Sequence, residues 1–429
     1  MNNIPDRPKI LIISHGHPKI IKGDGEIAAY NLFQELRSRD NCDVVFLAYK
    51  QGEAIYSSIP FETLKSDGSE VLITGGNLDY FIFSQLNTRL NCSEFRSFLD
   101  SFAPNVVHFY HYIHLGLEAI REVHKYAKNI PIIMTLNDYW AICNHNGQMV
   151  KISDYKLCYK SDPADCHQCF PHKIPEDFQL REMYIKSFFN LVDVFIAPSQ
   201  FLLERYVNWG IAREKIISLD YGQPIVTPVP PRKLLDEQKN HFAYFGQLNI
   251  FKGIFVLLES IEKLTKEIRK NISLDIYGAN LELQPKSFQD RFWELLNNTK
   301  DCVYYHGCYQ SAELPQLMAN IDWVIVPSIW CEISPLVVEE AFMHKRPVIC
   351  SNIGGMADKV EHEKSGLHFR VADSTDLANC ITRATNEEGL WEKLSSGISE
   401  RLTIQEVADK TQKLYVEELK KHLNNALSS

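Results

Sequence analysis

The most informative stretch of the chain reads Pro327-Ser-Ile-Trp-Cys-Glu-Ile-Ser-Pro-Leu-Val-Val-Glu-Glu-Ala341. It follows an apolar run, Asp322–Val326, that predicts a buried strand. Ser334 is a good N-cap and Pro335 a good first helical residue, so we expect a helix to begin here. Free N–H groups at a helix start attract anions, so this loop is suited to hold a diphosphate.

Two acidic residues accompany this helix start. Glu332 lies in the loop before the helix, and Glu340 falls in its second turn. Carboxylates repel phosphate but accept hydrogen bonds from hydroxyls, so the pair is suited to a sugar and a ribose. The plainer interpretation is a solvated loop residue beside a helix-surface residue.

Glycines follow three other predicted strands. Gly246 precedes Lys252-Gly253, Gly23-Asp-Gly25-Glu26 opens a helix after the first strand, and Gly354-Gly355 follows the run Pro347–Asn352. Glycine lets a ligand approach the backbone closely, and Lys252 adds a positive charge. We expect Gly25 to meet the same diphosphate from the opposite wall. A plain turn at Gly23 and Gly25, and an ordinary lysine at 252, are the alternatives.

Short apolar runs alternate with amphipathic segments along the whole chain. Runs of four to eight residues, often continuously apolar, suit parallel strands buried on both faces. The alternation predicts an α/β protein with two doubly wound, Rossmann-like domains facing a central cleft. The other runs are Lys9–Ser14, Asp43–Tyr49, Asn105–Tyr110, Ile130–Leu136, Asp193–Ser199, Lys215–Gly222, His241–Gly246, Ser273–Gly278 and Cys302–Gly307.

The strand pattern restarts near His241, after a stretch rich in proline. We therefore expect a first domain over residues 1–222, a linker over 223–240 and a second domain over 241–400. Residues 401–429 read as a helix that could pack back on the first domain.

Charge and hydropathy exclude some classes of protein. A net charge of −9 argues against a general nucleic-acid-binding protein, which needs a basic face. No apolar run reaches the roughly 18 residues that span a bilayer. We expect a cytoplasmic protein, and leave open a peripheral contact with the inner face of the membrane.

Four of the eleven cysteines cluster in an insertion over residues 143–175. Cys166 and Cys169 have the paired spacing of a zinc knuckle, and Cys143 and Cys158 could complete a structural four-thiolate zinc site. Reduced packing cysteines and one or two disulfides are the alternatives. The insertion follows a strand, so we assign it to recognition of an acceptor.

Together these motifs resemble the donor signature of glycosyltransferase family 4, which has the GT-B fold. The resemblance rests on Glu332-x7-Glu340 with Pro335, on Phe245-Gly246 followed by Lys252-Gly253, and on Ser351-Asn-Ile-Gly-Gly-Met356. It extends to Val107-His-Phe-Tyr-His111 and to Asp138-Tyr-Trp-Ala-Ile-Cys143 in the first domain.

The resemblance implies that a retaining enzyme transfers a sugar from a nucleotide-diphospho-sugar, with no cofactor required for catalysis. Glu340 would then hold the ribose, Glu332 the transferred sugar and Lys252 the diphosphate, while the base would lie near His306 and Tyr309. The second domain would bind this donor, and the first would bind a glycan or lipid-linked acceptor. The full expected donor set is Gly25, Gln247, Lys252, Gly278, His306, Glu332, Ser334, Pro335, Leu336 and Glu340.

We expect His108, His111 and Asp138 to contact the acceptor, and Glu332, Lys252 and Asn137 to act in catalysis. Structural histidines, an N-cap at Asp138 and a turn former at Asn137 are the alternatives.

Two positions depart from the family pattern, which commonly has Arg at Gln247 and His at Asn137. Gln247 donates to phosphate without charge, and Asn137 cannot act as an acid or base, so a histidine-dependent step is in doubt.

The resemblance also implies that this sugar transfer serves surface polysaccharide synthesis. A double displacement would need a carboxylate nucleophile that we do not identify, so we favour same-face attack with the departing phosphate accepting the proton. A sugar-nucleotide epimerase and a non-catalytic protein that binds nucleotide sugars or glycans are the competing hypotheses.

Overall fold

The computed structural model describes residues 5–21, 23–50, 60–74, 76–230 and 239–428. The chain forms two compact units, one of Met1–Pro224 with Leu402–Ser429 and the other of Ile225–Arg401. The chain therefore leaves the first unit once and returns to it for its last helix.

Strands and helices alternate through most of the chain. The strands are β1 (Lys9–Ser14), β2 (Asp43–Tyr49), β3 (Phe61–Thr63), β4 (Glu70–Ile73), β5 (Leu78–Asp79), β6 (Ser84–Gln85), β7 (Val106–Phe109), β8 (Ile132–Thr135), β9 (Val194–Ala197), β10 (Ile216–Ser218), β11 (His241–Gln247), β12 (Ser273–Ala279), β13 (Val303–Gly307), β14 (Trp323–Val326), β15 (Val348–Ser351) and β16 (Gly366–Phe369). The α-helices are α1 (Asp24–Ser38), α2 (Arg96–Phe102), α3 (Glu118–Tyr126), α4 (Pro163–Cys169), α5 (Pro175–Phe189), α6 (Gln200–Trp209), α7 (Ile254–Glu262), α8 (Lys266–Asn271), α9 (Lys286–Asn298), α10 (Leu314–Ala319), α11 (Leu336–Met343), α12 (Gly354–Lys359), α13 (Ser374–Asn386), α14 (Leu390–Ser396) and α15 (Ile404–Ser428).

The first unit is built on an eight-stranded sheet with the order β10-β9-β8-β7-β1-β2-β4-β3. Its strands pair in parallel except β3 and β4, which are antiparallel. Residues Ile10–Ile13 of β1 are at most 1% exposed, because both faces of a parallel sheet are covered by helices. The strand order reverses between β1 and β7, and such a switch point opens a crevice at the carboxyl ends of the strands.

The second unit has a six-stranded parallel sheet with the order β13-β12-β11-β14-β15-β16. Its core is apolar, and Leu257, Leu258 and Ile261 of α7 are at most 1% exposed. The strand order reverses between β11 and β14. The glycine segment after β11 and the acidic loop after β14 therefore emerge at the same edge of the sheet.

The final helix, α15, packs on the first unit through polar contacts with three separate segments of the chain. The Tyr415 hydroxyl lies 2.7 Å from Nδ1 of His108 on β7, and Arg39 Nη1 lies 2.5 Å from Asp409 Oδ1. His422 Nε2 lies 3.0 Å from Asp193 Oδ1. The backbone at Gln223 also pairs with Thr403, which places the two ends of this unit side by side.

Residues 223–230 of the expected linker form no helix or regular strand, and residues 231–238 lie outside the described residues. Arg346 is fully buried and donates to the Val229 and Pro230 carbonyls at 3.1 and 3.0 Å. This part of the connection is therefore bound to the second unit.

The structure adds strands that the apolar pattern did not predict, and shortens others. β4 begins with Glu70, which is 0% exposed and hydrogen-bonded to His17 Nε2 at 3.1 Å. Only the three residues after Glu70 are apolar, which is too short a run for the apolar pattern to predict a strand. The run Lys215–Gly222 forms only the three-residue edge strand β10. No described helix is both long enough and apolar enough to cross a lipid bilayer.

Candidate functional site

The acidic loop of the second unit connects β14 to α11 and contains Glu332. This carboxylate is 3% exposed, and its Oε1 atom accepts three hydrogen bonds. The donors are Lys252 Nζ at 2.7 Å, Ser328 Oγ at 2.7 Å and Trp330 Nε1 at 2.9 Å. The structure therefore brings Lys252 and Glu332 together, and adds Ser328 and Trp330, which the sequence analysis did not select. Their signal was present, since both lie in the quoted stretch.

Glycines let this loop pack against its neighbours. Gly253 has a φ of 71°, and a Cβ atom there would overlap the Pro327 carbonyl oxygen. Gly354 has a φ of 61°, and a Cβ atom there would lie 2.8 Å from the Glu332 carbonyl oxygen. Gly355 donates its N–H to that same oxygen at 2.7 Å. We expected a ligand to approach the backbone at these glycines, but the acidic loop itself fills that space.

The helix start differs from the predicted one. α11 begins at Leu336, with Pro335 in the extended conformation at the cap position and no side-chain cap. Ser334 is therefore not the N-cap, because the chain is still extended one residue beyond it. Ser334 and Pro335 are buried and Leu336 is half-buried.

The two adjacent glutamates of α11 face different surroundings. Glu340 is half-buried, whereas Glu339 is 1% exposed and bonded to Lys359 and Arg401. Burial alone would raise the pKa of Glu339, but Lys359 and Arg401 together hold that pKa below its ordinary value. Glu339 thus stabilises the packing of α11, and Glu340 is the carboxylate nearer the surface.

The end of β11 presents Gln247 as an exposed side chain, while Gly278 beside it is buried. A Cβ atom at Gly278 would lie 2.6 Å from Leu248, so this position is glycine because Leu248 packs there. The packing of Leu248 is therefore enough to require glycine at position 278, and the predicted contact between Gly278 and a donor stays a prediction.

Aromatic rings form a stack at the ends of β11, β12 and β13. Tyr277 lies between Phe245 and His306, with ring centroids 5.0 and 4.7 Å apart. Tyr309 meets Phe245 edge-on at 5.4 Å. His306 is exposed, and its Nε2 atom lies 2.7 Å from Asp275 Oδ1. The stack offers a flat apolar face and a polar edge, which suits a planar ring.

A second cluster lies at the switch point of the first unit. His111 Nε2 is 2.5 Å from Asp138 Oδ2, and His15 Nε2 is 2.9 Å from Glu26 Oε1. The rings of His15 and His111 have centroids 4.6 Å apart. His111 Nδ1 accepts the Ile113 N–H at 3.0 Å, so its Nε2 carries the hydrogen that Asp138 accepts.

The charges in this cluster are set by burial and pairing. Burial lowers the pKa of His111, which Asp138 opposes. Burial would raise the pKa of Asp138 and of Glu26, but His111 and His15 respectively hold those values low. The cluster therefore pairs two carboxylates with two imidazoles. The sequence motifs indicated only His111 and Asp138, because nothing in the order of residues along the chain links His15 to them.

Gly25 and Asn137 meet at the start of α1. A Cβ atom at Gly25 would lie 3.2 Å from Asn137 Cγ. Asn137 donates from Nδ2 to the Tyr110 carbonyl at 2.5 Å, and its Oδ1 accepts from the Tyr221 hydroxyl at 2.5 Å. Both ends of this amide are thus held by the protein.

His108 does not belong to an acceptor site in this structure. It is 0% exposed, and its two ring nitrogens lie 2.7 Å from the Tyr415 hydroxyl and 2.8 Å from Thr135 Oγ1. Complete burial lowers the pKa of His108 to about 3. Our assignment of His108 to the acceptor is corrected to a structural role, because its side chain lies on the face of the sheet that α15 covers and is not accessible to a ligand.

The cysteine insertion contains a hairpin-like bridge, Val150 with Leu157, followed by α4. All four of its cysteines are free and half-buried, so no disulfide joins them. Among the described residues, no group of three or more His, Cys, Asp or Glu side chains is placed to hold a metal ion. The residues as placed do not fit zinc, and the four-thiolate site of Cys143, Cys158, Cys166 and Cys169 stays a prediction.

Arg181 of α5 fastens the beginning of the insertion. Its side chain is 3% exposed, and it donates to the carbonyls of Phe81 and Ala141, each at 2.7 Å, and of Trp140. The buried guanidinium is satisfied by these three carbonyl groups, so it ties the chain just before the insertion to α5.

Comparisons with known proteins agree with this architecture. Residues 25–219 match the family model described as Glycosyltransferase Family 4, and residues 228–401 match the model described as Glycosyl transferases group 1. HepE of Anabaena, solved in complex with UDP and glucose, is similar in structure with a TM-score of 0.64 at 16% identity, over 95% of this chain and 99% of that one.

The curated relatives match over shorter stretches. An uncharacterized glycosyltransferase of Methanocaldococcus jannaschii is 23% identical over 42% of this chain and 46% of its own length. A lipopolysaccharide 1,2-N-acetylglucosaminetransferase of Salmonella typhimurium is 29% identical over 34% and 40%. The chain spans about half the length of the first curated relatives that it matches.

Each unit thus matches a glycosyltransferase model, and the whole chain has the corresponding fold. The chain belongs to the GT-B glycosyltransferases of the family 4 type.

Proposed function

We propose that the protein transfers a sugar from a nucleotide-diphospho-sugar to a glycan or lipid-linked acceptor, with retention of anomeric configuration. The observation that carries this proposal is the contact between Lys252 and Glu332 at the carboxyl edge of the second sheet. It places a cation suited to a diphosphate beside a carboxylate suited to sugar hydroxyls, at the start of a helix.

The donor would extend along this sheet edge. Lys252 and the first amides of α11 would stabilise the charge that develops on the departing diphosphate. Glu332 would accept from hydroxyls of the transferred sugar and Glu340 from the ribose. The base would stack near His306 and Tyr309, where the aromatic rings already form a layered surface.

Retention would come from same-face attack, with the departing phosphate taking the proton of the acceptor. Glu332 is a poor candidate for a covalent nucleophile, because hydrogen bonds from Lys252, Ser328 and Trp330 to its Oε1 atom stabilise the negative charge of the carboxylate. In the first unit, His111 and Asp138 would orient the acceptor, and Asn137 would fix the surrounding backbone.

The acceptor class is supported by the similarity to the Salmonella relative, a lipopolysaccharide 1,2-N-acetylglucosaminetransferase. We place the reaction in the cytoplasm, at the inner face of the membrane when the acceptor is lipid-linked, as a step of surface polysaccharide synthesis.

Calorimetry with UDP-, GDP-, ADP- and TDP-sugars tests the donor site. We expect sugars of one nucleotide base to bind clearly. Glu340→Ala should lower the affinity for that donor at least about five-fold, which corresponds to the loss of one ordinary hydrogen bond. Glu294→Ala, at an exposed position of α9, is the matched control and should bind as the wild type does.

If Glu340→Ala binds the best donor as tightly as the wild type, the ribose does not lie at Glu340. A donor that binds but is not consumed with any acceptor would favour the non-catalytic protein, and isomerisation of the donor alone would favour the epimerase.

A further inference from the structure

Glu332 accepts hydrogen bonds from two residues besides Lys252. Ser328 is 1% exposed and bonds Oε1 at 2.7 Å, and Trp330 bonds the same atom through its indole N–H at 2.9 Å. Neither residue has a charge, and neither is needed to neutralise the carboxylate while Lys252 is present.

The three donors differ in how freely they can leave. The Lys252 side chain is 28% exposed, against 5% for that of Glu332, and lysine has a long flexible stem. Ser328 and Trp330 belong to the same short loop as Glu332, and their positions are fixed by the backbone. The Ile329 N–H, between them, bonds the Phe251 carbonyl at 2.8 Å.

A diphosphate carries more negative charge than one carboxylate and would draw Lys252 away from Glu332. A carboxylate that is 3% exposed needs hydrogen bonds to remain stable once its cation moves. Ser328 and Trp330 supply two neutral donors that stay behind. They hold Oε1 in place, and the other oxygen, Oε2, takes no bond from any of the three.

We propose that Trp330 and Ser328 are positioning residues, which keep Glu332 oriented towards the sugar when Lys252 exchanges that carboxylate for the diphosphate of the donor. This inference rests on the proposed function, since it needs a nucleotide sugar as the ligand. It goes beyond that function, because it assigns different roles to Lys252, which moves to the diphosphate, and to Ser328 and Trp330, which stay bonded to Glu332.

The proposal predicts a selective loss of affinity for the sugar portion of the donor. Trp330→Phe keeps an aromatic ring under Lys252, whose Nζ lies 5.8 Å from the ring centroid, but removes the N–H. We expect the affinity for the best nucleotide sugar to fall about five-fold, the value of one hydrogen bond. The affinity for the matching nucleoside diphosphate should change less than about two-fold, since this ligand keeps the ribose but lacks the transferred sugar that Glu332 would hold.

Calorimetry with both ligands gives the ratio of the two affinities for each variant. Ser328→Ala should shift the ratio in the same direction and carries the test if Trp330→Phe fails to fold. Trp293→Phe, at a half-exposed tryptophan of α9, should leave the ratio unchanged. Equal weakening of both ligands, or no change in either, would overturn the proposal, because a merely structural role cannot distinguish the sugar from the diphosphate.

A second measurement separates this inference from the proposed function. In protein labelled with ¹⁵N-tryptophan, the Trp330 indole resonance is assigned by its loss in Trp330→Phe. It should shift, and its hydrogen should exchange faster, in Glu332→Ala. An unaltered resonance means that the hydrogen bond is absent and overturns the inference. An altered resonance in a protein that binds no nucleotide sugar instead defeats the proposed function, and the sugar-orienting role falls with it.

Discussion

Single residues show how much of the site depends on close backbone contact. The sequence marks Gly253 as special, and we attributed its lack of a side chain to the approach of a ligand. In the structure the reason is the Pro327 carbonyl, which lies where a Cβ atom would be. The identity of the residue was predictable, but its neighbour was not, because the two residues are 74 positions apart in the chain.

Gly253→Ala should therefore destabilise the protein by about 3 kcal/mol, from a left-handed backbone plus an overlap with the loop. Gly389→Ala is the matched control, because its φ is 73° and nothing lies within 4 Å of the added atom. The control should cost only the backbone strain, about 1 kcal/mol. Urea denaturation of both variants measures the difference, and equal losses would show that the Pro327 carbonyl can move aside.

Among the secondary-structure elements, α15 is the one for which the sequence suggested a partner domain but not the residues that it contacts. We had assigned His108 to the acceptor, but its Nδ1 atom lies 2.7 Å from the Tyr415 hydroxyl of this helix. A histidine at the end of a predicted strand can lie on either face of the sheet. The apolar pattern does not say which face a distant helix will cover. The contact ties β7 and β8 to α15 through one buried ring.

This contact predicts a dependence of stability on pH. The pKa of His108 is lowered to about 3 by burial, whereas an unfolded histidine titrates near 6.5. Only the unfolded state takes up the proton between these values, so the free energy of unfolding falls as pH falls from about 6.5 towards 3.

His108→Gln should be less stable than the wild type at pH 7.5. The gap should narrow by about 2 kcal/mol at pH 5, because the variant has no such proton to gain. Denaturation midpoints at the two pH values measure the gap. Other buried histidines titrate in both proteins and cancel, so a gap that stays constant would contradict the neutral, buried state of His108.

The whole molecule combines one continuous unit with one discontinuous unit. Residues 225–401 contain every strand of the second sheet, whereas the first unit needs Leu402–Ser429 from the far end of the chain. Val407, Ala408, Tyr415 and Leu419 of α15 are at most 5% exposed and contribute apolar area to the first unit.

A fragment of residues 225–401 should therefore unfold cooperatively on heating, while residues 1–224 alone should not. Cooperative unfolding of the first unit should be restored when residues 402–429 are joined to residue 224 by a short linker. This design suits the structure, because the Gln223 N–H bonds the Leu402 carbonyl at 2.9 Å. Circular dichroism melts compare the three polypeptides, and a cooperative transition in residues 1–224 alone would show that α15 is dispensable.

The sequence by itself determined the alternation of strands and helices, the restart near His241 and the acidic loop with Lys252 and Glu332, because these follow from local apolar patterns and short motifs. Only the tertiary structure decided that His15 and Glu26 join His111 and Asp138, that His108 faces α15, and that Trp330 bonds Glu332. The physical reason is that a side chain's partner depends on which distant segments pack together, and burial then fixes its charge and hydrogen bonds.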